Sequence, residues 1–197
     1  MSHTSDGGAS MSIDSDWNAT GSSTWPGICS FMHRGLHNCL TRGMTLEIST
    51  VETHDNGVST RAATLDDRER CFDLIETLTG EVRTDGWNEV FASHLKTERG
   101  SIVVAERDGT VIGCASVSYN LTIRYGREYC ELEELIVDES ARGLNLGRIL
   151  VQRTVDDARR RGCAEMGLYL VPTTEGNRGF YEKLGFEVLG TEMRQEL

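Results

Sequence analysis

The segment that most constrains the fold is a strand pattern followed by a glycine-rich turn and a helix. Residues 129–137 read YCELEELIV and predict a strand, and residues 141–150 read ARGLNLGRIL. The helical pattern that opens in this turn places Leu146 and Leu150 on one face, and it ends in three arginines before Gly162. A strand, a tight turn and an amphipathic helix in this order predict a layered domain in which the helix covers a sheet.

The rest of the sequence supplies further strands and helices around this unit. Thr64 is a predicted N-cap for a helix that stops at Gly80, and Asp108 with Gly109 is a hairpin signal between two strand patterns. The predicted elements are strands at 58–64, 101–107, 110–117, 129–137 and 166–171, helices at 65–79, 87–96, 146–161 and 177–184, and a terminal strand pair from Phe186 onward with a last strand at 193–197. This order predicts one mixed α/β (α+β) domain.

Residues 1–57 differ in composition from the rest of the chain. They are rich in Ser, Gly, Thr, Asp and Asn, and they show neither helical nor strand periodicity, which predicts a disordered tail before a domain at 58–197. Met11 and Met44 are alternative starts, so it is open whether residues 1–43 belong to the native protein. Within the tail, residues 29–39 hold two cysteines and two histidines, and either a small zinc site or an unstructured segment fits them; we expect no metal.

The charge of the chain excludes some classes of partner. The formal net charge is −11, whereas a nucleic-acid partner requires a basic face, so we expect no nucleic-acid partner. No apolar run approaches the roughly 18 residues of a membrane helix, and the N-terminus lacks the pattern of a signal peptide, so we expect a cytoplasmic protein without a membrane partner. The six scattered cysteines predict reduced thiols, and the acidity fits either a salt-rich cytoplasm or a GC-rich genome.

The glycine-rich turn has the chemistry of an anion-binding site. A tight turn that leads into a helix points several backbone N–H groups at one spot, where the positive end of the helix dipole adds to them. Gly143 and Gly147 allow a ligand to approach the backbone closely, and Arg142 and Arg148 add positive charge. Asn145 lies between the glycines, and Asn tolerates left-handed backbone angles while keeping its N–H group.

Together with a second motif, this turn resembles the GNAT superfamily of acetyl-CoA-dependent N-acetyltransferases, over about residues 59–190. The two matching blocks are ELEELIVDESARGLNLGRIL and LYLVPTTEGNRGFYEKLGFEVLG. Arg142 and Gly147 match the ends of the family's diphosphate-binding turn, whereas Asn145 stands where an inner Gly is usual. The resemblance implies a GNAT fold, a mixed and mostly antiparallel sheet of six or seven strands flanked by four helices.

The resemblance also implies roles for individual residues. The arm of acetyl-CoA would pair with the fourth predicted strand and its diphosphate would bind the turn, with Asn177 on the arm and Tyr181 donating a proton to the CoA thiolate. The implied cofactor-binding residues are Leu135, Ile136, Val137, Arg142, Gly143, Leu144, Asn145, Leu146, Gly147, Arg148, Asn177 and Tyr181. The implied catalytic residues are Glu131 or Glu134 as the base, with Glu131 favoured, and Tyr181 as the acid. Clustered carboxylates raise one another's pKa, as suits a base.

The expected function is transfer of an acetyl group from acetyl-CoA to a primary amine by direct attack in a ternary complex. The alternative is a silent acyl-CoA-binding regulatory module that has lost turnover. The acceptor, a small molecule or a peptide amine, is not encoded in a readable motif, and a homodimer stays open beside a monomer. Arg124 and Arg127, with Tyr125 and Tyr129, would favour an anionic acceptor if they line its pocket, and otherwise form a solvated loop.

Overall fold

The fold is a single six-stranded sheet with helices on both faces, seen in a computed structural model that describes residues 50–195 and Leu197. The helices are α1 (Arg68–Thr79), α2 (Asp85–Leu95), α3 (Leu146–Arg161) and α4 (Arg178–Glu182). The strands are β1 (Glu52–Thr53), β2 (Ser59–Ala62), β3 (Gly100–Arg107), β4 (Thr110–Thr122), β5 (Arg127–Val137) and β6 (Met166–Leu168). Their spatial order follows their sequence order, and only the β5–β6 pair is parallel. The predicted mixed, mostly antiparallel fold with four helices is confirmed.

Local signals in the sequence set several boundaries of these elements. Asp108 and Gly109 join β3 to β4, and both have left-handed backbone angles (φ 52° and 76°), as a two-residue hairpin turn requires. The backbone N–H and hydroxyl of Thr64 donate to Asp67, which stabilises the turn that leads into α1. Gly80 and Gly162 end α1 and α3 in left-handed conformations.

Two apolar cores lie on opposite faces of the sheet. On one face α3 buries Leu146, Leu150 and Val151 against β3, β4 and β5. On the other face α1 and α2 bury Phe72 and Phe91, whose rings meet edge to face. Because burial of apolar side chains stabilises the folded state, these two cores hold β4 and β5 between two helical layers.

Both ends of the domain differ from the sequence expectation. The sheet includes β1, which lies before residue 58 and pairs with β2 through the turn at residues 54–57. The predicted terminal strands are wrong within the described residues: from Phe186 to residue 195 no segment forms a ladder, and Leu189 and Met193 are 79% and 92% exposed. β6 is only three residues long and ends at Leu168, not at residue 171 as predicted. A terminal strand would need the edge of a neighbouring strand to pair with, and this short strand offers little of one.

Other predictions concern solvent, thiols and metals. On α2, Phe91 is buried against Phe72 of α1, whereas Val90 is exposed. The cysteines within the described residues, Cys71, Cys114, Cys130 and Cys163, are free thiols. The Cys and His segment at residues 29–39 lies outside the described residues. From residue 50 to 195, no helix has the length and apolar character to cross a membrane, and no three His, Cys, Asp or Glu side chains converge on a metal position.

Candidate active site

The site begins where β5 and β6 separate. The parallel ladder joins Cys130 to Met166 and ends with the pair Leu132 and Leu168. β5 then continues for five more residues, 133–137, whose edge on the β6 side has no ladder partner among the described residues. An exposed strand edge of this kind can hydrogen-bond an extended ligand in place of another strand.

A bulge in β5 marks the same point. Ser116 of β4 pairs with Glu134, whereas the next residue, Val117, pairs with Leu132, so Glu133 is an extra residue in β5. The bulge turns the alternation of β5 so that Glu131 and Glu134, three positions apart, lie on the same face of the sheet. A bulge near the acyl position is what the resemblance implied, but its position at Glu133 was not readable from the sequence.

The turn that follows β5 is fixed at its start by α1. Asp138 caps a single 3₁₀ turn by accepting a hydrogen bond from the N–H of Ser140, at 2.9 Å. Arg70 of α1 forms an ion pair with the other carboxylate oxygen of Asp138, and it also donates to the carbonyl of Val111. The hydroxyl of Ser140 also donates to Asp138. This bond, the bond from the Ser140 N–H and the ion pair with Arg70 lower the pKa of Asp138 to about 2.

We call residues 138–145 the β5–α3 turn. Gly143 and Asn145 both have left-handed backbone angles in it (φ 86° and 60°), and α3 starts immediately afterwards at Leu146. Asn145 therefore adopts the left-handed conformation that Asn tolerates better than other residues except Gly, as expected from the sequence. Because residues with left-handed backbone angles lie on both sides of Leu144, the chain reverses direction tightly just before α3 begins.

The turn and the first residues of α3 present a row of unused donors. Within the described part of the chain, the N–H groups of residues 143–148 have no hydrogen-bond acceptor, and the first helical bond is that from the N–H of Ile149 to the carbonyl of Asn145. Successive N–H groups without acceptors at the positive end of a 16-residue helix are the features on which anion-binding sites are built. Arg148 is exposed beside them, and Arg142 pairs with Glu139 at 3.1 Å. This arrangement fits a diphosphate.

A residue outside the predicted site holds the turn in place. The side-chain amide of Asn56, in the turn between β1 and β2, donates to the carbonyl of Leu144 at 3.0 Å. Its carbonyl oxygen accepts a hydrogen bond from the N–H of Val58 at 3.2 Å. No local signal in the sequence predicts this contact, because the two partners lie 88 positions apart and Asn56 falls in a segment with a tail-like composition.

The carboxylates on β5 have different surroundings. Glu134 is partly buried and accepts a hydrogen bond from Ser116, and burial together with the charge of Glu133 raises its pKa to about 7. Burial and the charge of Glu133 also raise the pKa of Glu131, whereas Arg194 lowers it. Glu133 is exposed and accepts a hydrogen bond from Ser118 at 2.6 Å. Glu134 is therefore the carboxyl group best able to exchange a proton near neutral pH.

The second predicted motif places α4 against the start of α3. The ring of Phe180 lies 3.5 Å from the position that a Cβ atom would take at Gly147, which is an ordinary van der Waals distance, so only a side chain larger than a methyl group would meet this ring. Tyr181 packs between the rings of Phe180 and Phe186, and burial raises the pKa of its hydroxyl. Asn177 is exposed and precedes α4 directly. The contact between Phe180 and Gly147 thus places α4, with Asn177 at its N-cap and Tyr181 within it, beside the end of α3 that carries the donors.

The basic and aromatic residues before β5 form a stacked group. The guanidinium of Arg124 lies 4.6 Å from the centre of the Tyr125 ring and 5.8 Å from that of Tyr129. The Tyr125 hydroxyl donates to Glu165 at 2.7 Å, which fixes this ring against the loop before β6. Arg127 is exposed at the start of β5. Since Tyr129 shares a face of β5 with Glu131, this group lies beyond the carboxylates along the same strand.

Comparison with known proteins gives a consistent picture. The model of the acetyltransferase (GNAT) family matches residues 64–186. The glucosamine 6-phosphate N-acetyltransferase of Trypanosoma brucei brucei is 33% identical over 90 residues, which cover 45% of this chain and 59% of that protein. A crystal structure of a Trypanosoma brucei acetyltransferase superposes with a TM-score of 0.61 at 27% identity, covering 71% of this chain and 99% of the other.

A third similarity concerns the fold alone. An aminoglycoside N-acetyltransferase in complex with CoA superposes with a TM-score of 0.63 at 20% identity, covering 71% of this chain and 94% of that one. The chain spans about half the length of the curated relatives that it matches, from 42% to 59% for three of them. The shared region contains the β5–α3 turn and α4, since the family match runs from the N-cap of the turn before α1 to Phe186.

Proposed function

Because the chain belongs to the acetyltransferase (GNAT) family, we propose that it transfers an acetyl group from acetyl-CoA to a primary amine by direct attack in a ternary complex. Acetyl-CoA is the donor that this family uses, and a structural neighbour is a complex with CoA. The observation that carries the proposal is the continuity of the site. The open edge of β5 leads through the β5–α3 turn to the N–H groups of residues 143–148, which have no acceptor among the described residues, so one extended ligand can bind both.

In this proposal the donor binds along backbone groups. Its diphosphate accepts hydrogen bonds from the N–H groups of residues 143–148, with Arg142 and Arg148 supplying positive charge nearby. Its pantetheine arm pairs with the open edge of β5 at residues 135–137, in the way that an added strand pairs. Asn177 contacts the arm from the side of α4. The thioester then lies near the bulge at Glu133.

We assign the base role to Glu134 ahead of Glu131. The attacking nitrogen must be neutral, so a proton leaves the ammonium group for a carboxylate before or during attack on the thioester carbon. Glu134 follows the bulge directly, and its pKa of about 7 matches this task. Glu131 lies on the same face and is the second candidate, since burial also raises its pKa.

The remaining steps concern the oxyanion and the leaving group. As the nitrogen–carbon bond forms, a backbone N–H of β5 near the bulge stabilises the developing oxyanion. The carbon–sulfur bond then breaks, and the CoA thiolate takes a proton from the hydroxyl of Tyr181. Burial keeps this hydroxyl protonated by raising its pKa, so it can donate to the thiolate that leaves beside it. The nitrogen loses its second proton as the intermediate collapses, and the tyrosinate regains a proton from it through solvent.

The proposed acceptor is a small-molecule primary amine. Two of the relatives are named for glucosamine 6-phosphate, and a third is named an IAA acetyltransferase. The carboxylates of β5 favour a cationic amine at the reaction point, while Arg124 and Arg127 at the start of the strand leave room for an anionic group at the other end of the acceptor. The surroundings of these arginines do not select one amine.

The test is a thiol-release assay with acetyl-CoA across amino sugars, aminoglycosides, polyamines and peptide amines. We expect turnover with at least one amine, and we expect Tyr181→Phe to lower kcat by about 10²-fold while CoA binding is unchanged, because only proton donation is lost. Tyr119→Phe is the matched control, since the Tyr119 hydroxyl is hydrogen-bonded to Ser101 of β3 and has no role in the proposed proton transfers. Tight CoA binding without thiol release from any amine would favour the silent regulatory module instead.

A further inference from the structure

The contact between Asn56 and the β5–α3 turn has a consequence for ligand binding. Asn56 lies in a turn that is well fixed: the N–H of His54 donates to the carbonyl of Val58 at 2.8 Å, and the N–H of Gly57 donates to the carbonyl of His54 at 3.0 Å. β2 then joins this turn to the sheet through its ladder with β3. Asn56 is therefore held by the sheet, and it reaches out to the carbonyl of Leu144 from a rigid base.

The direction of this carbonyl sets the direction of a donor. The peptide bond between Leu144 and Asn145 is trans and planar, so the N–H of Asn145 points opposite to the carbonyl of Leu144. Because Asn56 binds the carbonyl on the side of the β1–β2 turn, the N–H of Asn145 points away from it. That N–H is the third of the six successive donors without an acceptor among the described residues.

The neighbouring backbone explains why such a restraint is needed. Gly143 and Asn145 lie on either side of Leu144, and both have positive φ angles. The orientation of the peptide between Leu144 and Asn145 depends on ψ of Leu144 and φ of Asn145. The positive φ of Asn145 costs energy in a residue other than glycine, so other orientations of this peptide compete unless a bond holds the carbonyl of Leu144. No other residue in the described part of the chain donates a hydrogen bond to the carbonyl of Leu144.

We infer that Asn56 is a positioning residue for the donor substrate, which fixes the Leu144–Asn145 peptide so that the Asn145 N–H faces the diphosphate. The inference rests on the proposed binding of acyl-CoA at this turn. Asn56 itself touches neither the donor nor the acceptor in this role, and it acts only through the orientation of one peptide group. The effect is therefore confined to ligands that carry the diphosphate.

Three variants separate this role from a general stabilising one. Asn56→Ala removes both hydrogen bonds of the side chain. Asn56→Asp keeps an oxygen that can accept from Val58 but loses the donor to Leu144, and it adds a negative charge. Asp55→Asn is the matched control, because it changes the charge at the neighbouring exposed position and leaves the bond from Asn56 to Leu144 in place.

The first measurement is CoA binding by titration calorimetry, together with steady-state kinetics. We expect Asn56→Ala and Asn56→Asp to raise the Kd for CoA and the KM for acetyl-CoA by roughly three- to tenfold, which is the effect of one lost hydrogen bond. The KM for the amine and kcat should stay within about twofold, because no group at the reacting atoms changes. Asp55→Asn reports how far a single charge at this turn affects the Kd.

A truncated donor provides the second measurement. S-acetylpantetheine lacks the diphosphate, so its kcat/KM should be the same in wild type and in both Asn56 variants. A general loss of structure would instead lower the kcat/KM for both donors, and that result would overturn the inference. Asn56→Asp with wild-type affinity for CoA would overturn it too. If wild type itself fails to bind CoA, it is the proposed function that fails, and calorimetry on wild type alone makes that distinction.

Discussion

Replacing Glu134 by Gln tests the proposed base through stability as well as turnover. Glu134 is partly buried on β5 and accepts a hydrogen bond from Ser116, and its pKa is raised from 4.5 to about 7 by burial and by the charge of Glu133. Gln has the same shape and keeps an oxygen that can accept from Ser116. The substitution therefore removes the charge and leaves the packing of the strand in place.

The expected gain in stability follows from proton linkage. The folded protein holds the Glu134 proton up to about pH 7, whereas the unfolded chain releases it near pH 4.5. The contribution of this group to stability is thus present below pH 4.5 and is lost as the pH rises through about 7. At about 1.4 kcal/mol per pKa unit, the loss reaches about 3 kcal/mol above pH 7.

The assay is urea unfolding of wild type and Glu134→Gln at several pH values. The stability of the variant relative to wild type should increase by about 2–3 kcal/mol between about pH 5 and about pH 8, with the change concentrated between the two pKa values. Glu89→Gln is the matched control, since Glu89 is exposed on α2 and the loss of any one carboxylate eases repulsion in a chain of net charge −11.

The same variant should lose turnover while it gains stability. At about pH 8 the wild-type carboxylate is ionised and can accept the proton, whereas the amide cannot, so we expect kcat to fall by about 10²-fold. A stability difference that stays constant from about pH 5 to about pH 8 would show that the pKa of Glu134 is not raised, and would refute the reasoning. If kcat is lost in Glu131→Gln and kept in Glu134→Gln, the base is Glu131.

Two further predictions concern the anion site and the core. Gly147→Leu directs a side chain toward Phe180, whose ring lies 3.5 Å from the Cβ position at Gly147. We expect the KM for acetyl-CoA to rise by roughly tenfold or more and the KM for the amine to change far less. A larger rise for the amine would mean that the turn does not bind the donor. Leu150→Ala should lower the free energy of unfolding in urea by about 2–5 kcal/mol, because Leu150 is fully buried between α3 and the sheet. The exposed control Leu121→Ala should change it by less than about 0.5 kcal/mol, and equal losses would contradict the assigned core.

Much of the site was predictable because its signals are local. The strand–turn–helix order, the hairpin at Asp108 and Gly109 and the glycine stops of α1 and α3 each depend on neighbouring residues. The left-handed angle of Asn145 belongs to the same class, since it depends on what a single side chain tolerates. For this reason the sequence was sufficient to locate the turn and the helix that carry the free donors.

The features that escaped prediction depend on contacts between distant parts of the chain. β1 is two residues long and exists because it pairs with β2, and Asn56 acquires its role from a carbonyl 88 positions away. The position of the bulge at Glu133 depends on the register of β5 against β4, which the alternation of β5 alone does not reveal. After Phe186 a strand was predicted where none forms among the described residues. The apolar residues there have a strand-like pattern, but the segment pairs with no strand edge.

An acidic chain can bind an anionic donor because electrostatic repulsion acts over a short range in salt solution. Physiological salt screens exposed charges beyond about 8 Å. The net charge of −11 is spread over the surface, so most of it repels an anion at the turn only weakly. Six N–H donors at contact distance act without any net charge of their own, and no carboxylate can cancel them except by occupying the site. Glu139 instead pairs with Arg142, at 3.1 Å on an exposed turn where such a pair contributes little. In the proposed site a diphosphate would therefore take this arginine from Glu139 at small cost, and the backbone N–H groups would be the main source of affinity.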